Sequence, residues 1–562
     1  MDTSRDVVTV LKEADILIHD TTSLLKEERN PPEVTLREAI LIHTSSPPLP
    51  SSPVPPPHSP TLRTLLAAAQ GQKIKGVFRV ALLLLARPLL SSLLWRMLPA
   101  KRRHNVLWYV MLAFTCTPAL TRSLVKLFKR TLGVIIGNND TALSSGVFTQ
   151  GKGSARYQAI TAKLQEKVNN YWINPFLNGD YATIFPTAID LVLSNKVTRN
   201  LFPKRDKKGI TRQRQIMYNR QHAQIALDWT FPAQEQEQDT NQICIFLAGV
   251  GGDSSSPYIK ECNEKMTNNG WTTVTLNPRG LKSAPSVTTL EHSFSPYNLD
   301  DLDDLLLWIE TKTSSSLKIV LIGFSLGAIS LGKYLSSRGA DLDERIVGAV
   351  MVSGAFGMDF AQWWRYREIF QALIVPELVL EFLAKYGHLL EQHLSTTQMS
   401  NIGCATTYQE MVENLLLPVL TLADQGRDPM SYSDFQAMSV STAEEVGKIS
   451  CPTLFMASLD DPLHSSSLLN ITKDMLDGKG SSSSHRGNVC YMLLEEGGHV
   501  NFPTDLWGGS SLLQSTVFEW AMFCVEEADE RRKEGQGGGG RNEKRRVSVK
   551  ELVEKIERRA SK

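Results

Sequence analysis

Acidic residues are missing from one long stretch of this 562-residue chain: positions 39–139 hold no Asp or Glu, while thirteen Lys and Arg fall there. The formal charge is only +1, so a segment carrying +13 is joined to a remainder carrying −12. Such a split points to contact with an anionic surface. Zinc-ligand spacing is also missing. The seven cysteines (Cys116, Cys244, Cys262, Cys404, Cys451, Cys490, Cys524) are scattered, with no CxxC pair and no Cys/His cluster. That excludes a zinc ribbon or finger and argues for free thiols in a reducing compartment rather than a disulfide framework. The extreme N-terminus, polar and dotted with acids, lacks the pattern of a secretory leader. Charge is too sparse and hydrophobicity too ordinary, at 21% and 42%, for wholesale disorder or a polytopic transporter.

What is present varies along the chain. Residues 1–75 lack a sustained apolar period, and eight prolines fall between Pro47 and Pro60, which predicts a disordered Pro/Ser-rich arm. The acid-free stretch then turns apolar twice, at 77–98 and 106–120. The first is long enough to span a bilayer, but it contains Arg79, Arg87, Pro88 and Arg96. An arginine at the bilayer centre costs roughly 2.5–3.5 kcal/mol on insertion scales. The second carries no charge but is short, and Lys101-Arg-Arg103 separates the two. A bitopic anchor, a re-entrant hairpin and helices lying in the interface all remain open. The one-sided charge favours membrane association through residues 76–130 over a helix of the soluble core.

From about Tyr171 to Glu526 short apolar runs alternate with helical periods, predicting an α/β domain with a mostly parallel central sheet and helices on both faces. Strands are expected at 243–247, 272–276, 319–322, 346–352, 453–457 and 489–494, with helices at 299–311 and 326–337. Between 359 and 446 only helical periods occur, rich in aromatics such as Phe360, Trp363, Trp364, Tyr366 and Phe370, which predicts an inserted helical lid. The domains expected are therefore 1–75, a basic hydrophobic segment at 76–139, a catalytic body at 165–526, and a charged flexible tail at 527–562.

The chemistry concentrates around Gly323-Phe-Ser-Leu-Gly327. A GxSxG pentapeptide alone is a weak signal, but four apolar residues precede this one and a helical pattern follows. A strand-to-helix turn of that kind exposes Ser325 as a nucleophile, with Gly323 and Gly327 small so that strand and helix can close together. A hydroxyl needs a base, and the base needs an orienting acid. After the helical interval a strand runs into Leu459-Asp-Asp-Pro462, so Asp461 is the expected acid, with Asp460 the alternative. A further strand leads through Gly497-Gly498 to His499, the only histidine past both acids in that setting. His464 reads as a loop histidine, and His292 precedes the nucleophile. Two amides must hold the oxyanion. Leu326 N–H follows the nucleophile, and Val250 N–H lies in the glycine-rich Leu247-Ala-Gly-Val-Gly-Gly-Asp253 loop, which carries neither GxGxxG nor GK[ST] and so is not read as a phosphate cradle.

On these residues the core resembles the YheT-like branch of the α/β-hydrolase superfamily, which includes membrane-anchored mammalian lipid hydrolases and yeast medium-chain ester synthases. Further points of resemblance are Asn174-Pro-Phe-Leu-Asn-Gly-Asp-Tyr-Ala-Thr183, Ala226-Leu-Asp-Trp229, Asn277-Pro-Arg-Gly280 and Asp434-Phe-Gln-Ala-Met-Ser439. The chain departs from that branch at Ala248, where His or Pro is usual, and at Asp180, where His is usual. The resemblance implies an α/β-hydrolase fold and a serine hydrolase of lipid esters, acylglycerols or phospholipids, using no metal or other cofactor. It implies a membrane-associated, endomembrane enzyme with its catalytic domain on the cytosolic side and no nucleic-acid partner. Protein partners are left undefined. Acyl transfer to an alcohol through the same triad and a catalytically silent membrane scaffold are the alternatives.

Overall fold

Six buried strands run parallel through the centre of the protein, five of them mostly apolar and one, Thr272–Leu276, carrying three buried threonines. The computed structural model describes residues 65–72, 145–149, 154–171, 211–232, 241–295, 299–310, 317–354, 367–423, 430–439, 441–461, 488–504 and 511–535, all within the unit Pro56–Ser548. In chain order the strands are β1 (Gly146–Thr149), β2 (Thr211–Tyr218), β3 (Gln224–Phe231), β4 (Gln242–Leu247), β5 (Thr272–Leu276), β6 (Lys318–Phe324), β7 (Ile346–Val352), β8 (Thr453–Ser458) and β9 (Val489–Leu494). They form one sheet in the order β1-β9-β8-β7-β6-β4-β5-β3-β2. β4 to β9 pair in parallel, while β1, β2 and β3 join antiparallel at the two margins.

The two-residue period of a strand sends alternate side chains to opposite faces. Cys244, Phe246, Val320, Ile322, Phe324, Val350 and Met456 are buried against the helices Ala155–Asn170, Pro257–Thr267 and Ser511–Gly535. Their neighbours Ile243, Ile245, Ile319, Leu321, Ala349 and Met351 are equally buried. On that side the helix Leu326–Arg338 packs so close that a Cβ on Gly332 would stand 2.6 Å from Met351 Cε. Covering both faces is what makes these strands read as solid apolar runs.

β4 lies between β5 and β6, and the chain leaves β4 toward one side of the sheet and β6 toward the other. A crevice opens at the carboxyl ends of strands that part in this way. Leu247 and Gly323 are paired across it, so the loop after β4 and the turn after β6 start side by side.

Between β7 and β8 the described residues form only helices: Arg367–Leu390, Thr396–Cys404, Tyr408–Met411 continuing through a π turn (Val412–Leu416) into Leu417–Ala423, then Tyr432–Ser439 and Ala443–Gly447. Three of them begin on capping boxes, Ser395/Gln398, Thr407/Glu410 and Thr442/Glu445, which satisfy orphan amides at the helix starts. The insertion has its own apolar core, built on Val375, Phe382, Tyr386, Met399, Ile402 and Leu415.

Three expected boundaries need correction. Residues 65–72, assigned to the arm, form a helix whose Leu65 and Ala69 are buried against the insertion; two turns are too short to register as a period. The catalytic body begins well before 165, because β1 and the helix Ala155–Asn170 already belong to the sheet and its cover. The last helix runs to Gly535 rather than yielding to a tail at 527. Ser154 Oγ donates to Glu527, and Arg156 and Lys318 reach Glu530 and Asp529, so those charges are spent on the body. The segments 76–139 and 536–562, the aromatics Phe360 to Tyr366, and the 174–183 motif lie outside the described residues. Among the described residues no helix is long and apolar enough to cross a membrane.

Candidate active site

Ser325 is the single residue between β6 and the helix that follows, and its backbone is forced to φ 51°, ψ −118°. A non-glycine residue there costs on the order of 1–3 kcal/mol and persists only where its surroundings impose it. They do: Ser325 N–H donates to Val352 O at 2.8 Å, and Ser325 O accepts from Ala328 and Ile329. A Cβ on Gly323 would meet Gly327 O at 2.5 Å, and one on Gly327 would meet Leu247 O at 2.4 Å. The sequence reading missed Gly354, whose added Cβ would sit 2.0 Å from Ser325 O. Glycine after an apolar strand is too common a signal to have singled it out.

These contacts make a graded test. Gly327→Ala sets a methyl against two backbone oxygens, Leu247 O and Ala248 O at 2.4 and 2.6 Å, so the helix must retreat; a loss of roughly 2–3 kcal/mol is expected. Gly332→Ala crowds the flexible end of Met351, with Ser441 Oγ at an ordinary 3.5 Å, and should cost under about 1 kcal/mol. Urea unfolding of the two variants measures the difference, and equal losses would contradict the close packing at the turn.

The structure brings Ser325, Asp461 and His499 together from the ends of β6, β8 and β9. His499 Nε2 lies 2.7 Å from Ser325 Oγ and Nδ1 lies 2.8 Å from Asp461 Oδ2. All three residues are about 5% exposed, so little water competes for these bonds. Asp460 faces elsewhere. Its Oδ1 accepts from Gly498 N–H at 3.0 Å, and burial pushes its carboxyl up to about 6. His292 Nε2 pairs with Gln221 O, away from the cluster, and His464 lies outside the described residues.

The histidine loop is pinned on both sides of His499. Gly498, at φ +67°, donates to Asp460 and accepts from Ser458 Oγ at 2.8 Å. On the other side of the histidine, Val500 N–H donates to Ser353 Oγ at 3.1 Å. Ser353 is fully buried at φ 50° and donates its own N–H to Met456 O. Ser353 and Ser458 escape a sequence search because each meets the loop only through the parallel sheet, 147 and 40 residues away along the chain.

The glycine-rich loop after β4 closes against the serine. A Cβ on Gly249 would lie 3.1 Å from Ser325 Cβ, and Gly252 N–H turns back to Gly249 O. Among the described residues no acceptor is paired with the amides of Val250 or Leu326. Beyond Asp253 the loop is held by a hub on β3. Asp228 accepts from Arg214 through both oxygens at 2.7 Å, from Ser254 Oγ at 2.5 Å and from Asn277 Nδ2 at 2.8 Å. Burial opposes that charge, but these donors outweigh it and leave the carboxyl below its ordinary value. Two of the sequence motifs, Ala226–Trp229 and Asn277–Gly280, thus meet to brace this loop.

The insertion covers the same place. Val250 and Leu326 pack against its apolar cluster, and a Cβ on Gly251 would touch Leu378 Cδ2 at 3.0 Å. Tyr386 Oη donates to Arg279 O at 2.8 Å and accepts from Phe294 N–H, fastening the long helix to the segment after β5. A cavity of about 70 Å³ lies beside the turn, lined by Ala248, Gly249, Asn277, Arg279, Phe294 and Leu326. Of the seven cysteines, Cys116 lies outside the described residues; the other six are unpaired, five of them buried with their thiols raised by burial and Cys404 exposed.

The pattern of the serine aminopeptidase S33 hydrolase family matches residues 238–485, which span β4, the Ser325 turn, the insertion and Asp461. That match and the parallel sheet give the chain an α/β-hydrolase fold. The chain is 23% identical over 266 residues to monoacylglycerol lipase ABHD2 of Danio rerio, covering 46% of this chain and 59% of that protein. It is 25% identical to abhydrolase domain-containing protein 2 of Drosophila melanogaster, covering 50% and 67%. The match to Danio rerio ABHD2 proteins spans about six-tenths of their length. A solved brefeldin A esterase, described as a bacterial homologue of human hormone sensitive lipase, aligns over 67% of this chain and 94% of its own at 14% identity. The TM-score of that alignment is 0.35. The parallel centre of the sheet and the helical insertion are those expected from the apolar pattern, and the α/β-hydrolase fold is the one the resemblance implied.

Proposed function

We propose that this protein is a serine hydrolase that cleaves carboxylic esters of membrane lipids, acylglycerols or phospholipids. The observation that carries the reading is the unbroken chain Ser325 Oγ–His499 Nε2, His499 Nδ1–Asp461 Oδ2 on a strained strand-to-helix turn. In the first half-reaction Ser325 Oγ attacks the ester carbonyl carbon while His499 Nε2 takes its proton. Asp461 accepts from Nδ1, fixing the tautomer and offsetting the charge on the ring. The amides of Val250 and Leu326 receive the oxyanion. The tetrahedral species expels the alcohol, protonated by His499, and leaves an acyl-serine. Water, deprotonated by the same histidine, then attacks that acyl group and releases the carboxylic acid. Every proton is carried by His499, and no further group is invoked.

An apolar acyl chain is favoured because Val250 and Leu326, at the oxyanion position, are packed against the insertion's aliphatic cluster. The relatives named as monoacylglycerol lipases agree with that class. Membership of the YheT-like branch and attachment to an endomembrane through residues 76–130 belong to the same proposal, supported by the acid-free +13 segment. A fluorophosphonate probe tests the core of it. One label per chain on the peptide containing Ser325 is expected; a folded protein that takes none would sink the reading.

A further inference from the structure

The contact that the 65–72 helix makes is unused by the chemistry above. Leu65 and Ala69 are four apart and share one face; both are buried among Met399, Ile402 and their neighbours in the insertion. The approach is close at Gly403, where an added Cβ would lie 3.2 Å from Leu65 Cδ2 and 3.5 Å from Leu65 O. The same apolar cluster reaches Val250 and Leu326 beside the nucleophile. From position 72, only residues 73–76 lead to the apolar stretch at 77–98, a reach of at most about 18 Å at ~3.6 Å per residue. Lys73, Lys75 and Arg79 flank that junction with no acid nearby.

We propose that the 65–72 helix is a strap joining the membrane-binding segment to the helical insertion. The insertion is then the face turned toward an anionic lipid bilayer, and lipid contact is passed to the cover over Val250 and Leu326. This rests on the membrane reading of residues 76–130. The occupant is a lipid surface rather than an acidic protein because the cations are interleaved with long apolar runs, which a headgroup layer over hydrocarbon matches on both counts.

The exposed thiol of Cys404, next to Gly403, supplies the reporter. In full-length protein carrying Cys116→Ser, an environment-sensitive fluorophore on Cys404 should shift to the blue on phosphatidylserine/phosphatidylcholine vesicles. The same dye on Ala340→Cys in a Cys404→Ser background, at the opposite ends of the strands, should not. The double variant Leu65→Asp/Ala69→Asp should still float with vesicles and keep its rate on a water-soluble butyrate ester within about twofold. It should lose the Cys404 response and at least about tenfold in rate on a long-chain monoacylglycerol embedded in vesicles. Gly403→Val, which displaces the helix from the other side, should reproduce that split. If wild type fails to float, or deletion of 76–120 floats equally well, the membrane reading falls and the strap with it. If flotation holds but both variants match wild type on both substrates, or lose both rates together, the strap alone is overturned. A dye at Ala340→Cys that responds as strongly as one at Cys404 also overturns it.

Discussion

Replacing Ser325 by alanine should remove ester cleavage, with kcat falling by about 10⁵–10⁶, while the thermal midpoint moves by no more than a few degrees. The size of the loss follows from how triads behave: removing the nucleophile costs about as much as removing the whole set, because the histidine then has no proton to take. The small effect on stability follows from the backbone. Alanine inherits the φ of 51° and the strain that goes with it, and the three backbone hydrogen bonds of residue 325 do not involve Oγ. Only the 2.7 Å bond to His499 is lost, and a neutral hydrogen bond is worth about 1 kcal/mol net. Ser325→Gly separates chemistry from strain. It should be as inactive as alanine yet more stable by about 1 kcal/mol, the relief of positive φ exceeding the added freedom of the unfolded chain. Initial rates on a chromogenic ester together with calorimetric scans check both statements. Turnover retained by either variant would remove Ser325 from the mechanism.

The adjacent carboxylates should behave oppositely. Asp461→Asn is expected to lower kcat by about 10⁴, because an amide at Oδ2 can present N–H to Nδ1 and favour the wrong tautomer. Asp460→Asn should leave kcat within a few-fold, since an amide oxygen still accepts from Gly498 N–H and the His499 loop stays pinned. The pH dependence of stability separates them further. Burial holds the Asp460 pKa near 6, above the ordinary carboxylate value. The folded state therefore binds a proton that the unfolded state has released between about pH 4 and 6. The sign is that Asp460 favours folding at low pH and loses that contribution as pH rises through 6. Asp460→Asn should remove this slope and be neutral or mildly stabilising at pH 7. Urea midpoints at pH 5 and pH 7.5 would show it. A large loss of kcat in Asp460→Asn with Asp461→Asn active would exchange their roles.

The structure joins elements of very different legibility. β4 to β9 announce themselves because both faces are buried, so apolar runs survive without alternation. β2 does not, because it is a margin strand written Thr-Arg-Gln-Arg-Gln, whose polar side chains pair with Asp228, Glu264 and the Trp229 indole N–H rather than packing as an apolar run. β1 is four residues long and is held by its pairing with β9. No local preference could have placed it. The 65–72 helix is hidden for a related reason, since its two buried residues acquire meaning only opposite Gly403.

By itself the amino-acid sequence offered Ser325, then Asp461 or Asp460, then His499 as a candidate order, and determined the parallel sheet that could carry it. Both depend on local patterns, a short apolar run and the turn that ends it. Tertiary structure decided the rest: that Asp461 and not its neighbour faces the imidazole, that Ser353 and Ser458 pin the histidine loop, and that Asp228 braces the glycine loop. It also decided that a short helix before the basic segment rests on the insertion. Each is a contact between chain segments far apart in sequence, set by where strands end in space. A single chain read residue by residue carries no direct record of those distances. The charge split of +13 against −12 is legible in the sequence, whereas the packing of Leu65 on Gly403 is a contact that only the fold reveals.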